Sequence, residues 1–208
     1  MIRPRRSIFQ ALLWVAALAA LVFLWLREQH SRPVGTASAL PQGWVQLENC
    51  RLVEDRNNDG DSFSLAHEGG TNTFRLYFVD CPEKEWRRDN ARRIADQARY
   101  FGFDSPDQAP LVGQAAREFA LQRLQQPCTV LTRWEKVYES RRFYAQVLVQ
   151  TPDGSRRDLA ELLVESGLCR LHTKGADLPN GISAVNFQRH LRKIEHAARE
   201  ARAGAWKR

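Results

Sequence analysis

Apolar and polar residues take turns along three early stretches of the chain, Val45 to Glu54, Ser62 to Ala66 and Thr73 to Val79. In the third, Phe74, Leu76 and Phe78 fall on one face and Arg75, Tyr77 and Val79 on the other. A period of two is the mark of a strand, whose successive side chains point to opposite faces. His67-Glu68-Gly69-Gly70 reads as the turn between the second and third, and Cys128 to Trp134 and Phe143 to Gln150 read as two more strands before a Pro152-Asp153-Gly154 turn. Elsewhere the pattern is helical. Val112 to Gln126 predicts a helix ended by Pro127, and Asp158 caps a short one running to Ser166 with Gly167 at its end. A last helix, about Val185 to Ala203, places Phe187, Leu191, Ile194, Ala198 and Ala201 on one stripe. The class expected is α+β, a five-stranded OB-fold β-barrel with about three helices packed on it.

Ahead of this domain the pattern changes. From Ile8 to Leu26 the chain is apolar except for Gln10. Nineteen residues at about 1.5 Å each span about 28 Å, enough for a bilayer's hydrocarbon layer. The expected organisation is a basic N-terminus at 1–7, a transmembrane helix at 8–26, a Ser/Pro/Gly/Thr linker at 27–43 and one domain at 44–208. Ala37-Ser38-Ala39 resembles a signal-peptide cleavage site, which is the competing reading and would give a secreted protein. Arg3, Arg5 and Arg6 precede the span, so the domain is expected outside the cytoplasm, periplasmic or extracellular. Charge adds little to that. The net charge is +7, but residues 1–43 hold five arginines against one glutamate, which leaves about +3 for the domain. In an oxidising compartment Cys50, Cys81, Cys128 and Cys169 could form one or two disulfides, in any of three full pairings. No Cys/His spacing points to zinc.

The chemistry gathers in two stretches. Asp55 to Ala66 opens like a calcium-binding EF-hand loop, with Asp55, Asn57, Asp59 and Gly60 in place. However, Ala66 stands where the bidentate glutamate belongs, and the residues after Asp61 alternate as a strand. The second stretch is Phe74-Arg75-Leu76-Tyr77-Phe78-Val79-Asp80-Cys81-Pro82-Glu83. Asp61 opens one hairpin strand and Asp80 closes its partner, so two carboxylates should meet at one end of the sheet, a site for calcium or magnesium. With Glu83 beyond them, Arg75 on the strand and Arg141-Arg142 before another, the set suits phosphodiester hydrolysis. A cation polarises a phosphoryl oxygen, a carboxylate handles water, and guanidinium forks neutralise the phosphorus centre.

Asp59-Gly60-Asp61-Ser62, the FRLYFVDCPE run, the arginine before the fifth strand, Leu162 to Leu168, and His190 to Glu195 closing with Trp206 resemble the staphylococcal nuclease (thermonuclease) family in order and spacing. The resemblance implies a calcium-dependent nuclease acting on DNA or RNA and leaving 3'-phosphates; the protein is expected to be a monomer. It also implies roles: Asp61, Asp80 and the backbone carbonyl of Cys81 as calcium ligands, Asp59 behind them, Glu83 on water, and Arg75 and Arg142 on the phosphate. Glu139-Ser140-Arg141-Arg142 departs from the family's Lys-Tyr-Gly-Arg, so Arg141 competes with Arg142, and Tyr138 or Tyr144 would have to replace the missing tyrosine. Residues 84–110 exceed the family's loop and carry Lys84, Arg87, Arg88, Arg92, Arg93 and Arg99, read either as a solvated face or as a nucleic-acid clamp. Two other functions compete: a catalytically silent OB-type nucleic-acid-binding module, and a calcium-binding envelope protein using Asp55, Asn57 and Asp59.

Overall fold

Five strands close on themselves. β1 (Val45–Leu52), β2 (Ser62–His67) and β3 (Gly70–Leu76) form a meander, while β5 (Cys128–Lys136) pairs with β1 and β6 (Arg142–Gln150) with β5. Parallel pairing of β3 with β6, Thr73 opposite Arg142 through Leu76 opposite Ala145, completes the ring. The computed structural model describes residues 40–207. The predicted membrane span at 8–26 and most of the linker lie outside them. Among the described residues no helix is long and apolar enough to cross a membrane.

Closure requires strong bending, and two bulges supply it. One interrupts the β1–β5 ladder at Asn49 (φ 54°), the other the β5–β6 ladder at Trp134 (φ 55°). At the second, Thr132 holds both strands, its hydroxyl donating to the Tyr144 carbonyl at 2.8 Å while accepting from the Trp134 N–H at 3.0 Å. Phe63, Leu65, Phe74, Leu76, Val130, Ala145 and Val147 fill the barrel.

The third strand starts and ends three residues earlier than its alternation predicts. It ends at Leu76 because Phe78 takes a left-handed backbone (φ 69°) and gives its N–H to the Lys174 carbonyl instead of the barrel. After this kink β4 (Val79–Asp80) pairs antiparallel with β8 (Arg170–Leu171) as a separate ribbon. β7 (Arg156–Asp158) extends the sheet beyond β6.

Four α-helices are present among the described residues, one more than expected: α1 (Ala91–Phe101), α2 (Gln108–Arg123), α3 (Leu159–Glu165) and α4 (Ala184–Glu200), followed by a 3-10 turn at Gly204–Trp206. The addition is α1, inside the inserted 84–110 segment. It docks through Ile94, Ala98 and Phe101, all buried, and ends at Gly102 in the left-handed conformation. α3 starts where expected, Asp158 accepting from the Ala160 N–H at 2.8 Å. On the last helix Phe187, Leu191 and Ala198 are buried, while Ala201 lies beyond the helix end and is exposed.

The register also sorts the cysteines. Cys50 lies opposite Cys128 across β1 and β5, and just past the Asp80–Arg170 pair the Cys81 and Cys169 thiols are hydrogen-bonded to each other. All four are free and buried thiols.

Candidate active site

The β2–β3 ladder sets Ser62 opposite Arg75, so Asp61, one residue earlier, sits at the same barrel end as the Arg75 guanidinium. The Phe78 kink then turns the chain back across that end and delivers Asp80 and Cys81. Arg75 bridges the two acids, Nη1 donating to Asp61 Oδ1 at 2.9 Å and Nη2 to Asp80 Oδ1 at 2.7 Å. Asp61 Oδ1 also accepts from the Ser62 hydroxyl at 3.1 Å, and its Oδ2 from the Cys81 N–H at 2.8 Å. The expected meeting of Asp61 and Asp80 thus occurs through a ribbon outside the barrel, not at the end of one hairpin.

Asp80 is 2% exposed and takes four donors: Arg75, Arg93 Nη2, Arg170 Nε at 2.8 Å and Gln97 Nε2 at 3.1 Å. Burial alone would raise its pKa, but Arg93, Arg75 and Arg170 outweigh it and hold the carboxyl down to about 2. A carboxylate offers about four lone-pair positions, so Asp80 is saturated. Gln97 also donates to the Cys81 carbonyl at 3.1 Å and accepts from the Glu83 N–H at 3.0 Å. Glu83 pairs with Arg93 Nη1 at 2.7 Å. Its backbone is fixed from below by α2, where Gly113 lies so close that a β-carbon would stand 2.5 Å from the Pro82 and Glu83 carbonyl oxygens.

The barrel closure brings in the remaining arginine. Arg142 donates to Ser62 Oγ at 3.3 Å, and burial together with the nearby Arg75 charge lowers its pKa. A cleft of about 480 Å³ opens over this cluster, with Arg75, Arg92, Arg93, Arg142 and Arg170 in its lining against Asp80, Asp89 and Asp96. A larger hollow of about 890 Å³ runs beside β1 and Trp134, but none of the predicted site residues lines it. Tyr138 lines the cleft and is 82% exposed. Tyr144 does not reach it as a free ring, being 3% exposed and stacked on Tyr77 at 5.2 Å. Arg141 is exposed and is absent from the cleft lining.

The loop resembling an EF-hand is folded for another purpose. Asp55 Oδ1 accepts from the Asn57 N–H, and the Asn58 carbonyl is occupied by Lys84 and Arg117. Among the described residues no group of three or more acid, His or Cys side chains forms a metal cage. The cation ligands implied by the resemblance differ from such a cage in being two carboxylates and a backbone carbonyl. They fit a hard cation in kind, and the Arg75 guanidinium already lies between the two acids. Asp59 lies beside Asp61, and burial first, then the Asp61 and Glu83 charges, push its carboxyl up to about 7.

Three participants escaped the sequence reading of the site: Arg93 as an internal cation, Gln97 and Arg170. The signal for the first two is their i,i+4 spacing beside Ile94, Ala98 and Phe101. For Arg170 it is an arginine within the apolar run Leu168 to Leu171, the same cue that Arg75 gave.

An OB-type barrel with buried acids and an arginine-lined cleft at one end defines a phosphodiesterase-like scaffold. Residues 73–208 match the family described as staphylococcal nuclease homologue, and the chain belongs to that family of nucleases. Asp59 and Asp61 lie ahead of the matched residues. No curated protein matches the chain.

Proposed function

We propose that the protein is a calcium-dependent nuclease that hydrolyses phosphodiester bonds in DNA, RNA or both and leaves 3'-phosphates. The observation that carries this reading is that Arg75, Asp80 and Arg142 line one basic cleft, with Asp61 joined to it through Arg75 and Glu83 through Arg93. Asp61, Asp80 and the Cys81 carbonyl would hold the cation, which when bound polarises a phosphoryl oxygen and lowers the pKa of water. The chain does the rest. Arg75 and Arg142 orient the scissile phosphate and oppose its growing negative charge, and Glu83 accepts a proton from the attacking water. Tyr138, at the cleft and exposed, is placed to stack on a base.

The 8–26 segment and the arginines before it support a membrane anchor with the nuclease domain outside the cytoplasm. The test of activity is release of acid-soluble nucleotides by the purified full chain, with calcium and then with a chelator. Release that needs calcium and vanishes in Glu83→Gln is expected. No release under either condition overturns the reading.

A further inference from the structure

The inserted helix closes the site with its own cation. Arg93 and Gln97 lie one turn apart on α1 and reach into the same place. Arg93 spans Asp80 and Glu83, while Gln97 spans Asp80 and the Cys81 carbonyl. Between them these two side chains take a hydrogen-bonding position on Asp80, on the Cys81 carbonyl that follows β4, and on the acid assigned to water.

Resting on the calcium reading above, we propose that Arg93 and a divalent cation compete for this position, so that α1 sets the cation affinity of the site and releases Glu83 only when the cation enters. Four features support this. Asp80 already accepts four hydrogen bonds, so no cation can bind it unless a donor leaves. The side chains of Arg75 and Arg170 are 8% and 9% exposed and belong to the barrel and the ribbon, whereas that of Arg93 is 41% exposed and can swing into solvent. A +2 ion arriving beside the Arg93 guanidinium would meet strong repulsion at short range. Finally, α1 is anchored by the buried Ile94, Ala98 and Phe101, so the helix stays docked while the Arg93 side chain departs.

Competition lowers apparent affinity by the fraction of molecules whose position is open. With the clasp closed nine-tenths of the time or more, its removal tightens binding by about tenfold or more. The test is calorimetric titration of the full chain with calcium, without nucleic acid, for the wild type, Arg93→Met, Arg93→Lys and Arg99→Ala. Met keeps the stem without the charge, Lys restores a competing cation, and Arg99 sits exposed on the same helix against Asp96. The expected result is a calcium Kd at least tenfold lower in Arg93→Met, near wild type in Arg93→Lys, and unchanged in Arg99→Ala. Wild-type and Arg93→Met proteins binding calcium equally well would overturn the clasp and leave the calcium reading standing. Cleavage by proteins of which none binds calcium would overturn both.

Discussion

Two aspartates of this protein are almost equally buried, and their surroundings drive them in opposite directions. Asp80 is 2% exposed and Asp158 is 7% exposed. Asp80 meets three guanidinium groups and an amide, and its pKa is held down to about 2. Asp158, at the corner between β7 and α3, meets the Gln146 amide at 2.9 Å and the Ala160 N–H, with no cation. Burial pushes it up to about 7. Depth alone therefore does not decide whether an acid is charged. The cleft end of the barrel is arranged to keep a carboxylate charged, whereas the helix-cap corner tolerates a neutral one.

The same isosteric change should separate the two regions. Asp80→Asn leaves the buried Arg75 and Arg170 guanidiniums short of a counter-charge, and is expected to cost about 3–5 kcal/mol by urea denaturation and to abolish cleavage. Glu83→Gln comes next, with cleavage down by about 10²–10³ and little change in stability, because this acid is half-buried and is the one proposed to take a proton from water. Asp158→Asn should do the reverse of Asp80→Asn. In the wild type the raised pKa means the folded state holds a proton that the unfolded chain loses near its ordinary value of 3.8. Stability is thus highest below that value and falls as pH rises to about 7, by on the order of 2–4 kcal/mol. Asn keeps the cap on the Ala160 N–H without titrating, and with the Gln146 amide turned to accept from its NH2 the fall should flatten and the variant should be the more stable at pH 8. Loss of stability on both Asn substitutions at pH 8 would erase the distinction. The smallest effect belongs to the Asp55→Ala, Asn57→Ala double variant, whose cleavage should stay within about twofold of wild type in the same nucleotide-release assay, because the Asp55 carboxylate holds the Asn57 N–H and the Ser64 hydroxyl and neither Arg142 nor Glu83.

Much of the barrel was legible because period-two runs have no other good explanation. The kink was not, since alternation continues unbroken through Phe78 while its backbone turns left-handed, a rare state for a bulky residue. The acids and Arg75 were legible from motif order. The contribution of α1 was hidden for a physical reason: its arginines read as a solvated face, yet Arg93 and Gln97 point inward toward charge. A pattern rule that sends polar residues to water cannot find a polar residue buried by its partner, and the fully buried Gln97 is the case in point. Arg170 was missed likewise, buried beside an acid ninety residues away.

That separation has a consequence for how the molecule comes into being. Asp61, Arg75 and Asp80 are synthesised first, but the strand that closes the ring begins at Arg142 and the last donor to Asp80 is Arg170. Contacts this distant in the chain form late and slowly. A growing polypeptide therefore carries the acids of a nuclease for most of its synthesis without possessing the cleft, and any chain ending before Arg170 is left with an incomplete one.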